Sequence, residues 1–352
     1  MSCDLEGRKF LGEGARGFPQ ARRLRYGPLP PPPNPLPQTL VGLVGRASVP
    51  ASRVGGHGGP PHRSGELGEG AARKTSKGGG TPPLRPSPSP QLLLTALGLD
   101  FGSRYVKLVY GKEKGAWGRK KLDTLTFFRD YLHRHEGRLA IDWPRLGLAP
   151  PQALVVTGYG KNLLQDHFPT ITEIRAHFLG ARQATGLDHF ILLEVGGQDS
   201  KVLYVKDGRV FDFLTNDRCA AGTGRYLENM ARFLKMPLTE FAAAWEKPAD
   251  ISHTCAIFGE SELIGHLLEG VAPERIAAGV NASVARRALM MVRRYPCPTL
   301  VFVGGVARNQ AVVRLLGEVQ DYRVVVPSFP QFNGALGCWL EARRHLLQEG
   351  AP

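Results

Sequence analysis

The sequence has no long apolar run toward its N-terminus. The longest nearby, Leu92 to Leu99, falls far short of the roughly 20 residues of a membrane-crossing helix, and no apolar core of a secretion signal precedes it. These absences predict a cytoplasmic protein with no membrane partner. Cysteine is scarce: the five, Cys3, Cys219, Cys255, Cys297 and Cys338, are odd in number in a chain without an export signal. That argues against a disulfide framework and leaves burial or metal binding to explain them. Neither G-x-x-x-x-G-K-S/T nor a strand-borne G-x-G-x-x-G occurs, which excludes P-loop and Rossmann enzymes. No short-period repeat is visible, which argues against a solenoid. The formal charge is +14, but no basic stripe interleaved with aromatics accompanies it, so nucleic acid is not an expected partner.

Much of that charge sits in the first 91 residues, which carry 13 basic and 5 acidic side chains together with 16 of the 28 prolines. Gly-Pro-Arg-Ser stretches such as VGGHGGPPHRSGELGEG cannot bury enough apolar surface to offset the entropy of ordering them. Residues 1–91 are therefore expected to be a disordered basic tail. An artefact of the gene model is the alternative: no methionine lies between Met1 and Met230, so a start near residue 90 would need a non-Met codon.

From Leu92 the pattern becomes that of a folded domain, 92–352. LLLTALGLDFGSRYVKLVY reads as strand, turn and strand; Gln152 to Thr157 and His189 to Val195 read as strands; and KDGRV supplies an Asp-Gly hairpin signal after the strand KVLYV. Beyond Asn216 the period turns helical. Tyr226, Leu227, Met230, Phe233 and Leu234 share one face of a helix over Gly224 to Lys235, and further helices are predicted over Ser261 to Leu268 and Glu274 to Arg294. TLVFVGGVARN reads as the last strand, running into a Gly-Gly turn and a helix. Strands in both halves, each closing on a glycine turn, predict an α/β fold with two lobes, about 92–190 and 191–352, around a nucleotide cleft.

Three glycine turns follow strands: GLDFGSRYVK, EVGGQDSK and FVGGVARN. Glycine lets backbone N–H groups approach phosphate oxygens, an acidic residue can hold hydrated Mg²⁺, and Ser103 and Lys107 can add a hydroxyl and a positive charge. Any one turn alone is an ordinary β-turn. The D-x-G-S-x-x-x-K of Asp100, Gly102, Ser103 and Lys107, the turn at Gly196 and Gly197, and the GGVA at Gly304 to Ala307 together resemble the motifs of the actin, heat-shock chaperone and sugar-kinase superfamily. The resemblance implies an actin-like, ribonuclease H-like ATPase fold. The first two turns would then be phosphate loops, and Gly304 and Gly305 the adenosine contact.

Within that superfamily, NDRCAAGTGRYLE with Cys219 and CAIFGESELI with Cys255 resemble the two signatures of the activators of 2-hydroxyacyl-CoA dehydratases. The ATPase subunits of benzoyl-CoA reductase are similar. TGYGK at Thr157 to Lys161, EIRAH at Glu173 to His177, VGGQDSK and FPQFNGALG extend the likeness over residues 93 to 350. Two cysteines are too few for a 4Fe-4S cluster in one chain. The resemblance implies one cluster bridging a homodimer, ligated by Cys219 and Cys255 of each copy, each cysteine preceding a helix whose N-terminal N–H groups face the anionic cluster.

By the same resemblance a ferredoxin or flavodoxin supplies an electron, and ATP hydrolysis drives its delivery to an iron-sulfur dehydratase or reductase. Asp100 and Asp199 are candidates for Mg²⁺ and its waters, Ser103 and Lys107 for phosphate, and Gln198, by analogy with other nucleotide hydrolases, for orienting the attacking water. One departure stands out: the family usually has Asp before the glycine pair, where this chain has Glu194, one methylene longer, a further catalytic candidate whose reach into the Mg²⁺ shell differs. Two other readings stay open, a sugar or amino-sugar kinase and a chaperone-like or scaffold ATPase. Neither gives Cys219 and Cys255 a joint purpose. Cys297 and Cys338 are expected to be buried apolar cysteines.

Overall fold

The computed structural model describes residues 96–111, 117–135, 137–216, 220–251, 256–318 and 322–349. All belong to one unit, Pro35–Pro352. The tail read at 1–91, and with it Cys3, as well as Cys219 and Cys255, lies outside the described residues.

In chain order come β1 (Ala96–Phe101), β2 (Tyr105–Gly111), β3 (Trp117–Asp123), α1 (Thr124–Asp130), β4 (Leu132–His135), β5 (Arg138–Ile141), β6 (Ala153–Thr157), α2 (Lys161–Leu164) and α3 (Glu173–Thr185). Next are β7 (Phe190–Val195), β8 (Ser200–Lys206), β9 (Arg209–Asn216), α4 (Gly224–Phe233), α5 (Leu238–Phe241), α6 (Ala256–Leu268) and α7 (Pro273–Val292). β10 (Thr299–Gly304), α8 (Gln310–Glu318), β11 (Arg323–Val325) and α9 (Asn333–Glu349) complete the described chain.

Two sheets repeat one plan. In the first, ordered β3-β2-β1-β6, an antiparallel meander β1-β2-β3 is joined by β6 parallel to β1; in the second, ordered β11-β10-β7-β8-β9, the meander β7-β8-β9 is joined by β10 parallel to β7. β1 and β7 are buried at every position, as strands covered on both faces must be. β9, at an edge, alternates between exposed and half-buried. Its hairpin with β8 turns on Asp207 and Gly208, both at positive φ (51° and 68°), the geometry that Asp-Gly favours.

Helices cover both sheets. On the second, Phe178 and Ala181 of α3 meet Phe190, Leu192 and Leu203, while Tyr226, Leu227 and Met230 of α4 and Ile276 and Val280 of α7 cover Ile191, Leu193 and Val202. On the first, Phe127 of α1 packs against Leu97, Leu99 and Phe101, and Ala335, Cys338 and Trp339 of α9 cover Ala96, Val109 and Val155. Fully buried side chains such as Phe127 and Phe190 each contribute about 1.5–3 kcal/mol. α9 comes so close that a Cβ on Gly98 of β1 would lie 2.1 Å from Trp339 N, and one on Gly337 would lie 1.8 Å from Ala176 O of α3. A lobe boundary near residue 190 remains a proposal, since α9, from the end of the chain, packs on the first sheet.

Several expectations are corrected in detail. Phe233, the last residue of α4, is 38% exposed and off the apolar face, whereas Leu234 just beyond it packs against the core as expected. α6 begins at Ala256 rather than Ser261, because Gly259 inside it weakens the helical signal. The strand over TLVFVG is not the last; β11 follows it and is too short to show a period. Cys297 and Cys338 are buried, 5% and 0% exposed, as expected. Among the described residues no helix is long and apolar enough to cross a membrane.

Candidate active site

β1 delivers Asp100 to the end of the first sheet, where its carboxylate is 7% exposed and receives Lys107 Nζ at 3.0 Å. Register explains the pairing, since Asp100 and Lys107 are direct partners across β1 and β2 and opposite charges so placed attract. The cage is tight: a Cβ on Gly158 would lie 2.7 Å from Asp100 Oδ1, and one on Gly334, at the start of α9, 3.1 Å from Oδ2. Between the strands, Gly102 and Ser103 form the turn, fixed by Thr124 Oγ1 donating to Gly102 O at 2.7 Å.

The second turn, Gly196 to Asp199, leaves β7 and faces the first. A Cβ on Gly197 would lie 3.4 Å from Ser103 Oγ, so the two sheets bring their glycine turns together. Glu194 is 7% exposed and Lys201, opposite it in register, 8%. Lys201 Nζ reaches Glu194 Oε2 at 3.5 Å and Glu173 Oε2 of α3 at 2.7 Å, and it also bonds Asp199 Oδ2. The remaining oxygens converge elsewhere: a Cβ on Gly196 would lie 3.0 Å from Glu194 Oε1 and 3.1 Å from Asp199 Oδ1.

The third turn closes the same corner. Gly304 has φ 92°, a conformation open to glycine and costly for other residues, and a Cβ there would lie 2.3 Å from Val195 O and 3.0 Å from Glu194 Oε1. Gly305 is exposed, and a Cβ on it would meet nothing within 4 Å, which leaves space against its backbone. Gln198 is exposed on its turn. Of the residues singled out in the sequence, Asp100, Gly102, Ser103, Lys107, Glu194, Gly196, Gly197, Gln198, Asp199, Gly304 and Gly305 thus lie on three turns or the strands that lead into and out of them, the second turn adjoining the other two. The expectation of free N–H groups at the start of α4 is not met at its first two residues: Gly224 N donates to Gly196 O at 2.8 Å and Arg225 N to Gly197 O at 3.0 Å. The glycine turn itself caps that helix, satisfying donors a helix start leaves open.

Reading by residue type missed Lys201, Glu173 and His177, although EIRAH and VGGQDSK marked their places. Thr172, whose hydroxyl caps Arg175 N at 3.2 Å, and Gly186, at φ 68° just beyond the helix, were the usable signals for α3.

Burial, with the negative charges of Asp199 and Glu173 adding to it, raises the Glu194 pKa to about 7 despite Lys201. Burial opposes charge on Lys201 too, but Glu194, Glu173 and Asp199 outweigh it and hold the ammonium above its ordinary range. His177, 6% exposed, is lowered to about 4 by burial; Asp100 and Glu173 act against that shift, Lys201 and Lys107 with it. A neutral imidazole follows, its Nδ1 3.3 Å from Asn333 Nδ2. Because the folded value lies below the ordinary 6.5, the stability from neutral His177 is complete above pH 6.5 and lost as pH falls through 4. Glu194 titrates over much of the same range with the opposite sign, so the difference between wild type and His177→Phe in urea titrations should isolate a loss of about 3 kcal/mol across that window. A slope unchanged in that variant would contradict the assignment.

Among the described residues no three His, Cys, Asp or Glu side chains form a cage that could hold a metal ion. Mg²⁺ needs none, since it keeps several waters and takes one or two carboxylates with phosphate oxygens. The convergence of Glu194 Oε1 and Asp199 Oδ1 beside Gly196 fits that donor set of hard oxygens.

Comparison with known proteins agrees with this geometry. Residues 97–342 match the BadF/BadG/BcrA/BcrD ATPase family. The chain is 40% identical over 199 residues to the 2-hydroxyisocaproyl-CoA dehydratase activator of Clostridioides difficile, covering 54% of this chain and 73% of that protein. It is 38% identical over 193 residues to the (R)-2-hydroxyglutaryl-CoA dehydratase activating ATPase of Acidaminococcus fermentans, covering 53% and 74%. The solved structure of the activator of the 2-hydroxyisocaproyl-CoA dehydratase from Clostridium difficile with bound ADPNP superposes with a TM-score of 0.64 at 33% identity, over 74% of this chain and 98% of that one. With two sheets of one plan, three adjoining glycine turns and a family match over most of its length, the chain belongs to the BadF/BadG/BcrA/BcrD ATPase family.

Proposed function

We propose that this ATPase activates a 2-hydroxyacyl-CoA dehydratase or a related reductase. ATP with Mg²⁺ would bind between the glycine turns, and hydrolysis would be coupled to passing an electron to the partner's iron-sulfur centre. The observation that carries the reading is the approach of Gly197 to Ser103 with two carboxylate oxygens aimed at Gly196. Phosphates held there would meet the backbone of both turns, Ser103 and Lys107, while Glu194, Asp199 and, through water, Asp100 would surround Mg²⁺. Gln198, exposed beside them, would orient the attacking water. The adenosine would lie along Gly304 and Gly305.

Cys219 and Cys255 of two copies would hold one 4Fe-4S cluster, which stores the electron received from a ferredoxin or flavodoxin. Cys255 immediately precedes α6, and Cys219 stands shortly before α4. Those two helices touch where a Cβ on Gly259 would lie 2.9 Å from Tyr226 Oη, which supports placing the cysteines together. A reducing cytoplasm suits thiolates kept for metal.

Anaerobic purification with iron, acid-labile sulfide and mass measured together tests this. The expected result is about four irons per dimer, lost in Cys219→Ala and in Cys255→Ala while ATP binding persists. Iron-free protein indifferent to both substitutions would remove the redox reading and favour a kinase, to be screened with sugars as phosphate acceptors.

A further inference from the structure

α4 is tied to both phosphate turns at once. Its first two N–H groups are taken by Gly196 O and Gly197 O. From the other turn, Arg104, the residue after Ser103, reaches Glu228 Oε2 in the second turn of α4 at 3.4 Å, and Arg225 Nη2 returns to Ser103 O at 3.3 Å. Arg104 is anchored at its other end on Asp123, the residue whose Oδ1 caps α1 at Leu125 N and Thr126 N. The guanidinium therefore spans from the first sheet's own framework to a helix of the second, across the line where Gly197 meets Ser103.

We propose that Arg104 and Glu228, with Arg225, are positioning residues that report the presence of a nucleotide's phosphates to α4. The inference rests on the phosphate-binding reading of the turns and adds the route out of them. A Cβ on Gly197 would already stand in ordinary contact with Ser103 Oγ, at 3.4 Å, and a phosphate group, far larger than a methyl, seated between the turns would part them. Gly196 and Gly197 carry the start of α4 with them through the backbone, whereas Ser103 and Arg104 pull on it from the opposite side. Their separation thus stretches the Arg225–Ser103 and Arg104–Glu228 contacts together. Tyr226, Leu227 and Met230 hold α4 in the core, so the strain falls on its first two turns, where Arg225 and Glu228 stand.

Hydrogen exchange resolved by peptide on the full chain, with and without ADPNP and Mg²⁺, tests this. In the wild type, ADPNP should protect 100–107 and 196–201 and change exchange in 224–230 by about fivefold, the ceiling for a half-exposed pair. In Glu228→Gln and Arg104→Gln the turns should stay protected while the α4 response falls below about twofold, and Arg104→Lys should keep part of it. An α4 response as large in Glu228→Gln as in the wild type overturns the latch, as does a silent α4 beside protected turns. Turns left unprotected in the wild type would instead refute the phosphate-binding reading beneath it.

Discussion

Lys201→Met is expected to lower the free energy of unfolding by about 3–5 kcal/mol at pH 7.5, the cost of removing one partner from a buried charge cluster. The ammonium is 8% exposed and faces Glu194, Glu173 and Asp199; among the described residues no other cation forms an ion pair with Glu194, 7% exposed. The deficit should shrink on acidification. Glu194 has its pKa raised to about 7, above its unfolded value, so what it contributes is complete below the unfolded value and lost as pH rises through about 7. Removing Lys201 shifts that loss to higher pH and enlarges it. Millimolar Mg²⁺ should restore part of the midpoint in Lys201→Met, because a divalent cation beside Gly196 supplies the missing charge. Urea titrations at pH 5.5 and 7.5, with and without Mg²⁺, measure all of this. A loss under about 1 kcal/mol at pH 7.5 would show that the carboxylates do not depend on Lys201.

Gly337→Val should be worse, costing more than about 4 kcal/mol or preventing folding outright. Even the first carbon of a side chain would sit 1.8 Å from Ala176 O. The obstacle is backbone, which cannot swing aside as a rotamer can. Gly265 of α6 provides the contrast, for a Cβ there meets nothing within 4 Å. Gly265→Ala should raise stability by up to about 1 kcal/mol through helix propensity alone. Far-UV circular dichroism and urea midpoints separate the two, and a folded Gly337→Val of near wild-type midpoint would disprove the contact between α3 and α9.

How much of this was legible beforehand depended on where the determining contacts lie. β1, β2, β7 and the β8–β9 hairpin could be read because their signals are local: unbroken apolar runs and an Asp-Gly turn. The three glycine turns were recognisable as a set, though not their adjacency. No local pattern tells that Ser103 will face Gly197. Lys201 opens the strand KVLYV with nothing local to mark it as buried, since its partner Glu173 arrives on a helix from another part of the chain. α3 and α9 were missed as helices because glycines at Gly180 and Gly337 interrupt their apolar periods. Those same glycines let the helices cross. Glu194, a site candidate already in the sequence, acquires its raised pKa from burial that its own neighbourhood in the chain does not reveal.

The placement of α9 has a consequence for the order of events on the ribosome. β1 leaves the exit tunnel early and α9 last among the described elements, yet Ala96, Val109 and Val155 are covered by Ala335, Cys338 and Trp339. Residues separated this widely pay their loop-closure entropy before any contact rewards it. The second sheet, with its meander and α4, α7 and α8 falling close together in sequence, can close while synthesis continues. The first sheet waits with one apolar face bare until α9 has emerged. Of the two sheets, the one begun first is therefore completed last, and a nascent chain halted before residue 333 would present that face to whatever chaperone meets it.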